Sequence, residues 1–161
     1  MVLIMEFYVD GACRGNGRQD AIGAAAAVRR YRNGDESYRT RQLQTHYHDA
    51  TNQRAELLAI ILALEWAIDD YESTDNSPRI SVTIHSDSKY AVNCMTQWLE
   101  KWSNNGWTNS AGNSVANRDI LEDAIRAENR VSDVGGVVYK WVPRGKVHEA
   151  DDLCNDVLDD M

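Results

Sequence analysis

Residues 2–17 read VLIMEFYVDGACRGNG: an apolar, β-rich run that stops at a carboxylate and then breaks into glycines. Such a run predicts a strand over Val2–Val9 with Asp10 at its end, and a turn at Arg14–Gly17 into a second strand over Ala21–Arg30. Asn33-Gly34 is a hairpin signal, so a third strand is expected over Tyr38–Tyr47. Thr51–Ile68 reads as a helix, apolar on nearly every face and therefore central and buried. Pro78 closes the linker ahead of Ile80–His85, where Ile80, Val82 and Ile84 alternate with polar residues. Ser88–Leu99 reads as a helix, followed by the asparagine- and glycine-rich stretch SNNGWTNSAGNS. Val115–Asn129 is again helical, Gly136–Val142 is a last strand ending at Pro143, and the final helix begins near Lys146 or His148. This order defines one α/β domain over residues 1–161, with a Trp/Asn-rich projecting segment at about 98–115.

Four carboxylates stand at the junctions of these elements, each in its own short motif. They are Asp10 in YVDGACRGNG, Glu56 in TNQRAEL, Asp87 in IHSDSKYAVN and Asp151 in HEADDLCN. Strand ends and neighbouring helix starts are where an α/β sheet gathers its functional groups. Each acid has an ordinary structural explanation. Asp10 can close a turn, Glu56 can favour a helix N-terminus, and Asp87 can cap the helix after it. Four at once in one small domain point further. Clustered acids repel unless cations neutralise them, which implies hard divalent metal ions. In the final helix Ala150, Leu153, Cys154, Val157 and Leu158 recur at i, i+3, i+4, i+7 and i+8. Asp151 lies at the margin of that face, able to look into the sheet, while Asp152 points to solvent.

Composition sets limits. The chain has 161 residues, 17 Lys+Arg against 25 Asp+Glu, and a net charge of −8. The most apolar stretch, Leu57–Ile68, is interrupted by Glu65, which excludes a membrane span. MVLIMEFYV lacks the basic start and cleavage site of a signal peptide. Cys13, Cys94 and Cys154 are odd in number and widely spaced, as expected in a reducing cytoplasmic setting. Arg14, Arg18, Arg29, Arg30, Arg32, Arg39, Arg41 and Arg54 lie in the first third, and the rest is strongly acidic. Long-range attraction to a polyanion is therefore weak, with local arginines and metals left to supply the contacts. Trp98, Trp102 and Trp107 form an aromatic series around the asparagine-rich loop. They fit either a small hydrophobic sub-core or a platform for a nucleic-acid backbone and its bases. His46 and His48 alternate with Tyr47 as on a solvated strand face, and His85 reads as a satisfied neighbour of Asp87.

These motifs, in this order, resemble the cellular form of type 1 ribonuclease H over almost the whole chain, including WLEKWSNNGW and YKWVP. The resemblance implies an RNase H-like fold, α/β, with a five-stranded mixed sheet flanked by helices. Its first three strands would be antiparallel and its last two parallel to the first. It implies an endonuclease that cuts the RNA strand of an RNA–DNA hybrid and leaves 5′-phosphate and 3′-hydroxyl ends. Asp10, Glu56, Asp87 and Asp151 match the four metal-binding acids. Asp10 would bridge two Mg²⁺ ions, with Mn²⁺ as a substitute, Asp151 would help hold the ion that activates water, and Glu56 and Asp87 the ion on the leaving-group side. Two such ions, ~3.5–4 Å apart, stabilise the attacking and departing oxygens of an in-line displacement. Cys13, Arg14, Asn16, Asn52, Gln53 and Glu56 match the group that reads the RNA 2′-hydroxyl. Trp98, Trp102 and Ser110 match a channel for the DNA strand, and Thr51 a residue that grips a DNA phosphate. A monomer is expected.

Some positions depart from the family pattern. Asp49 stands where relatives often place a basic phosphate contact, and the projecting segment has only Lys101 and Arg118 where relatives carry lysines. Both departures predict weak, salt-dependent hybrid binding. The segment VPRGKVHEADD is short, and His148 lies immediately before the helix acid rather than at the family's mobile-histidine position. A catalytically silent hybrid-binding module of the same fold is the alternative function. An acidic cation binder built on DDLCNDVLDD is a third, but it lacks the glycine-punctuated loop of calcium sites.

Overall fold

A computed structural model describes residues 2–74 and 78–161. The linker expected to end at Pro78 contains residues 75–77, which lie outside the described part. Five strands form one sheet in the order β3-β2-β1-β4-β5. They are β1 (Val2–Arg14), β2 (Ile22–Arg30), β3 (Glu36–Gln42), β4 (Arg79–Ser86) and β5 (Gly135–Trp141). β2 pairs antiparallel with both β1 and β3, and β4 and β5 run parallel to β1. The helices are α1 (Asn52–Glu72), α2 (Lys89–Asn93), α3 (Leu99–Asn104), α4 (Arg118–Val134) and α5 (His148–Asp159). A π-helical turn, Cys94–Trp98, joins α2 to α3, and a 3₁₀ turn, Arg144–Val147, precedes α5. Among the described residues no helix is long and apolar enough to cross a membrane.

The two faces of the sheet are packed differently. On one, Met5, Phe7 and Val9 of β1 and Ile80, Val82 and Ile84 of β4 meet the apolar α1, with α4 beyond it. On the other, Ala24, Ala26 and Val28 of β2 meet Ala150, Cys154 and Leu158 of α5. The period of two along each strand thus sends alternate residues into separate cores. Ion pairs tie the outer parts together: Arg29 with Asp70, Arg39 with Asp69, Arg41 with Glu65, and Arg54 with Asp119.

Element boundaries differ from expectation where partners, not composition, set them. β1 does not stop at Val9 but runs on to Arg14, because small residues of β2 pair with it throughout: Asp10 with Ala26, Gly11 with Ala25, Cys13 with Gly23. The turn therefore falls after Arg14, over Gly15 to Ala21. β3 ends at Gln42 rather than Tyr47, since β2 begins at Ile22 and offers no partner beyond the bond from Leu43 N–H to the Gly23 carbonyl. His46, Tyr47 and His48 thus lie in a loop rather than on a strand, and Tyr47 is fully exposed. The helix expected over Ser88–Leu99 is interrupted by the π turn, where Leu99 N–H reaches back five residues to Cys94. α4 begins at Arg118 instead of Val115, because Val115 N–H is bonded to the Trp107 carbonyl and Asn117 takes a left-handed conformation.

Candidate active site

The site forms where β1, α1 and β4 meet. Asp10 sits inside β1, buried to 4 % exposure. Glu56 lies one turn into α1, whose N-terminus is capped by Thr51 Oγ1 accepting from Arg54 N–H at 3.1 Å. Asp87 follows β4 directly, and Ser88 Oγ caps α2 by accepting from Ala91 N–H at 3.1 Å. Carboxylate oxygens of Asp10, Glu56 and Asp87 all lie within 4.8 Å of one another. Asp151, half-buried on the first turn of α5, lies near enough to help push the Asp10 carboxyl upward, but outside the cluster of the other three. Asp152 is exposed, as the helical phase predicts.

Close approach of β1 to α1 requires a glycine. A Cβ on Gly11 would lie 2.2 Å from the Ala55 carbonyl carbon and 2.4 Å from Glu56 N. With no side chain there, Gly11 N–H donates to Glu56 Oε2 at 3.3 Å. Behind Asp10, the Cys154 thiol donates to its carbonyl at 3.3 Å. Burial pushes that thiol well above its usual range, so it stays protonated and able to donate.

Electrostatics of the triad follow from burial and like charge. Burial, then the charges of Glu56 and Asp87, raise the Asp10 carboxyl to about 10. Burial and the Asp87 charge raise Glu56 to about 8. Asp87 Oδ1 is buried with no hydrogen-bond partner among the described residues. Three crowded carboxylates with one buried oxygen unsatisfied are chemically suited to hard divalent cations, whose charge and oxygen preference would relieve both faults.

The other expected contact residues lie on β1 and the turn after it, at the start of α1 and of α5, and from the π turn into the loop beyond α3. Asn16 Oδ1 accepts from Asn52 N–H at 2.7 Å, and Gly17 N–H donates to the Ala50 carbonyl at 2.8 Å, docking the glycine turn on the start of α1. Cys13 is half-buried on β1 nearby. Arg14 is engaged by α5, through Asp159 at 2.8 Å and Asn155 Oδ1 at 3.4 Å. Trp98 and Trp102 are half-buried with ring centroids 5.5 Å apart, and Tyr90 lies 6.2 Å from Trp98. Trp107 divides from them: it is buried, so the sub-core reading applies to it, while Trp98 and Trp102 pack against the core yet keep part of their surface exposed. Ser110 is exposed in the loop beyond. His148 is exposed at the first residue of α5, its Nδ1 3.0 Å from the Gly145 carbonyl. His85 is bonded to Glu6 at 2.9 Å and stacked on Tyr8, while its Nδ1 finds no partner among the described residues.

Three residues that the sequence reading did not single out also shape the site. Asn117, left-handed at the start of α4, donates to Gln53 Oε1 at 3.2 Å and to the Tyr90 hydroxyl at 2.9 Å. Arg54, almost fully buried, makes a two-pronged bond to Asp119 at 2.8 and 2.7 Å. Together they fasten the first turn of α1 to α4. Trp141 reaches the Asp87 carbonyl from β5. Asparagine tolerates the left-handed region, but nothing in NSVANRD announces its partners. These contacts join residues far apart in the chain.

A carboxylate triad gathered from the central strand β1, the start of α1 and the end of β4, in a β3-β2-β1-β4-β5 sheet with helices on both faces, defines a class of acid-dependent, metal-fitting α/β enzymes. The RNase H family model matches residues 4–159. A ribonuclease H from Jannaschia sp. strain CCS1 is 34% identical over 150 residues, spanning 93% of this chain and 85% of that protein. Among solved structures, RNase H1 from the halophilic archaeon Halobacterium salinarum NRC-1 is 26% identical, with a TM-score of 0.65 over 98% of this chain and 99% of that one. LC9-RNase H1, a type 1 RNase H with the type 2 active-site motif, is 25% identical, with a TM-score of 0.74 over 97% of this chain and 72% of that one. The chain belongs to the RNase H family.

Proposed function

We propose that this chain is a metal-dependent endonuclease that hydrolyses the RNA strand of RNA–DNA hybrids, leaving 5′-phosphate and 3′-hydroxyl ends. The observation that carries the proposal is the convergence of Asp10, Glu56 and Asp87 within 4.8 Å in a chain of this family. With Asp151 alongside, these residues would hold two Mg²⁺ ions, or Mn²⁺ in their place. Bound there, the pair would neutralise the carboxylates and stabilise the attacking and leaving oxygens of an in-line displacement.

The chain's own residues have the task of holding the carboxylates ready and presenting the duplex. Gly11 N–H orients Glu56, and the docked glycine turn brings Asn16 beside Asn52; with them, Cys13, Arg14 and Gln53 would make up the edge that meets the RNA strand. That edge carries the donors and acceptors needed to read a 2′-hydroxyl. Thr51, capping the same helix, lies at the end of the edge, where a DNA phosphate would meet the helix start. Trp98, Trp102 and Ser110 would take the DNA strand. His148 is turned to the Gly145 carbonyl, and its part in proton transfer is proposed as auxiliary only. Arg14, Arg29, Arg30, Arg39, Arg41 and Arg54 are engaged with acids of the protein itself. Binding should accordingly be weak.

The test is a labelled RNA–DNA hybrid incubated with and without Mg²⁺ or Mn²⁺, beside DNA-duplex and RNA-duplex controls. Metal-dependent cutting confined to the RNA strand of the hybrid is the expected result. Binding without cutting at any metal concentration would instead establish the silent-module alternative. A narrower prediction concerns the tryptophans. Trp102→Ala should weaken hybrid affinity about tenfold, the scale of one lost stacking contact, with kcat within about twofold of the parent. Unchanged affinity with a lowered melting temperature would show the residue to be purely structural.

A further inference from the structure

Asp87 is held differently from its two partners in the triad. Glu56 accepts the Gly11 N–H, and the Asp10 backbone carbonyl accepts from the Cys154 thiol. Asp87 Oδ1, by contrast, is buried with no hydrogen-bond partner among the described residues. The aim of its carboxylate therefore depends on how firmly its backbone is fixed.

That backbone is fixed from the end of β5. Val142 N–H donates to the Ser86 carbonyl at 2.9 Å, one residue before Asp87. Trp141 Nε1–H donates to the Asp87 carbonyl itself at 3.1 Å. Beyond it, Ser88 N–H donates to Ser86 Oγ at 3.1 Å, and Ser88 caps α2. The indole is 46% exposed, so burial alone does not account for its placement. Its ring carries the Lys89 ammonium 5.0 Å from the centroid, a cation–π contact from the first residue of α2. One side chain thus joins the end of β5, the Asp87 peptide and the start of α2.

We propose that Trp141 is a positioning residue for Asp87: its indole N–H holds the Asp87 carbonyl and so aims the unpartnered carboxylate at the metal position shared with Asp10 and Glu56. Lys89 steadies the ring from its exposed side. The inference rests on the reading of the triad as a metal-holding hydrolytic site.

Trp141→Phe keeps an aromatic ring for Lys89 but loses the N–H together with part of the indole's bulk. In this variant the Mg²⁺ concentration for half-maximal cleavage should rise about 3–10-fold and kcat fall about tenfold, the scale of one directed hydrogen bond. KM for the hybrid should stay within about twofold. A second readout avoids activity altogether: the Mg²⁺ concentration that half-saturates the rise in melting temperature should increase by the same 3–10-fold. Lys89→Ala should move that midpoint in the same direction, by about 2–3-fold, and it carries the test should Trp141→Phe fail to fold. A Trp141→Phe protein with a parental Mg²⁺ midpoint overturns the proposal even if its melting temperature falls, because that is the signature of a merely structural tryptophan. If the parent protein is neither stabilised by Mg²⁺ nor able to cut, the reading of the triad falls as well. If the parent behaves as proposed and only the variant is unchanged, this inference alone is lost.

Discussion

Asp10→Asn is expected to lower hydrolysis of the hybrid by about 10³-fold or more while raising the stability of the metal-free protein. The first half follows from charge. Asp10 is the most buried member of the triad, and its carboxyl is raised by burial and by the charges of Glu56 and Asp87. Removing its negative charge weakens the hold on cations whose task is to stabilise charge in the transition state, an effect worth several kcal/mol. The second half follows from the same crowding. Asparagine keeps the shape and can donate to Glu56 and Asp151, whereas an ionised Asp10 must endure burial beside two like charges. Relief of about 1–2 kcal/mol would appear as roughly 3–6 °C in melting temperature for a chain of this size. Calorimetry in chelator, paired with the cleavage assay, measures both. A variant that cuts at the parental rate would remove Asp10 from the mechanism.

The pH dependence of the metal-free protein carries the same information with a definite sign. Asp10 rises from 3.8 to about 10 and Glu56 from 4.5 to about 8 on folding. Between those limits the folded state binds more protons than the unfolded one, so stability falls as pH rises. The contribution is fully present below about pH 4 and is lost progressively up to about pH 8–10. Asp10→Asn should flatten this slope. Mg²⁺ should do so too, because it binds the ionised carboxylates and stabilises the folded state most at high pH. A steeper slope in the variant would contradict the assignment of burial and like charge as the cause.

How far this site could be read from the chain depends on whether a contact is local or remote. Asp87 was legible because Ile80, Val82 and Ile84 fix the phase of β4 and place the next acid at its open end. Glu56 was legible because α1 is apolar almost all round, which leaves a polar first turn to be explained. Asp151 followed from the helical phase of Ala150, Cys154 and Leu158. Asp10 joins the triad from within β1 rather than from its end. Asp10-Gly11 reads as the end of a strand, yet the alanine tract of β2 pairs across it and carries β1 on to Arg14. The π turn at Cys94–Trp98 leaves no mark in the residue pattern, because an α turn and a π turn draw on the same residue types. Asn117, Arg54 and Trp141 act through partners 27 to 65 residues away, and no periodicity encodes those meetings.

Gly11→Ala should be the most damaging single-methyl change in the site. The added carbon would fall 2.2–2.4 Å from the Ala55 carbonyl and Glu56 N, inside the backbone of α1 rather than against a side chain that can swing away. Strand β1 has little room to yield, since it is paired with β2 across Gly11 itself and with β4 up to Val9. Helix α1 must therefore shift at its first turns, where Thr51, Asn52, Gln53 and Glu56 reside. Overpacking of this kind costs about 1–3 kcal/mol. Displacing Glu56 also lengthens its 3.3 Å bond from Gly11 N–H and opens the triad. A shift near 1 Å at a reacting centre costs about 10²-fold in rate. The expected result is a folded protein with kcat lowered about 10²-fold and a raised Mg²⁺ requirement, measured by steady-state cleavage and thermal titration. Loss of stability with parental kcat and metal midpoint would mean that the helix absorbs the methyl without moving Glu56. The strand–helix contact at Gly11 would then support the fold alone.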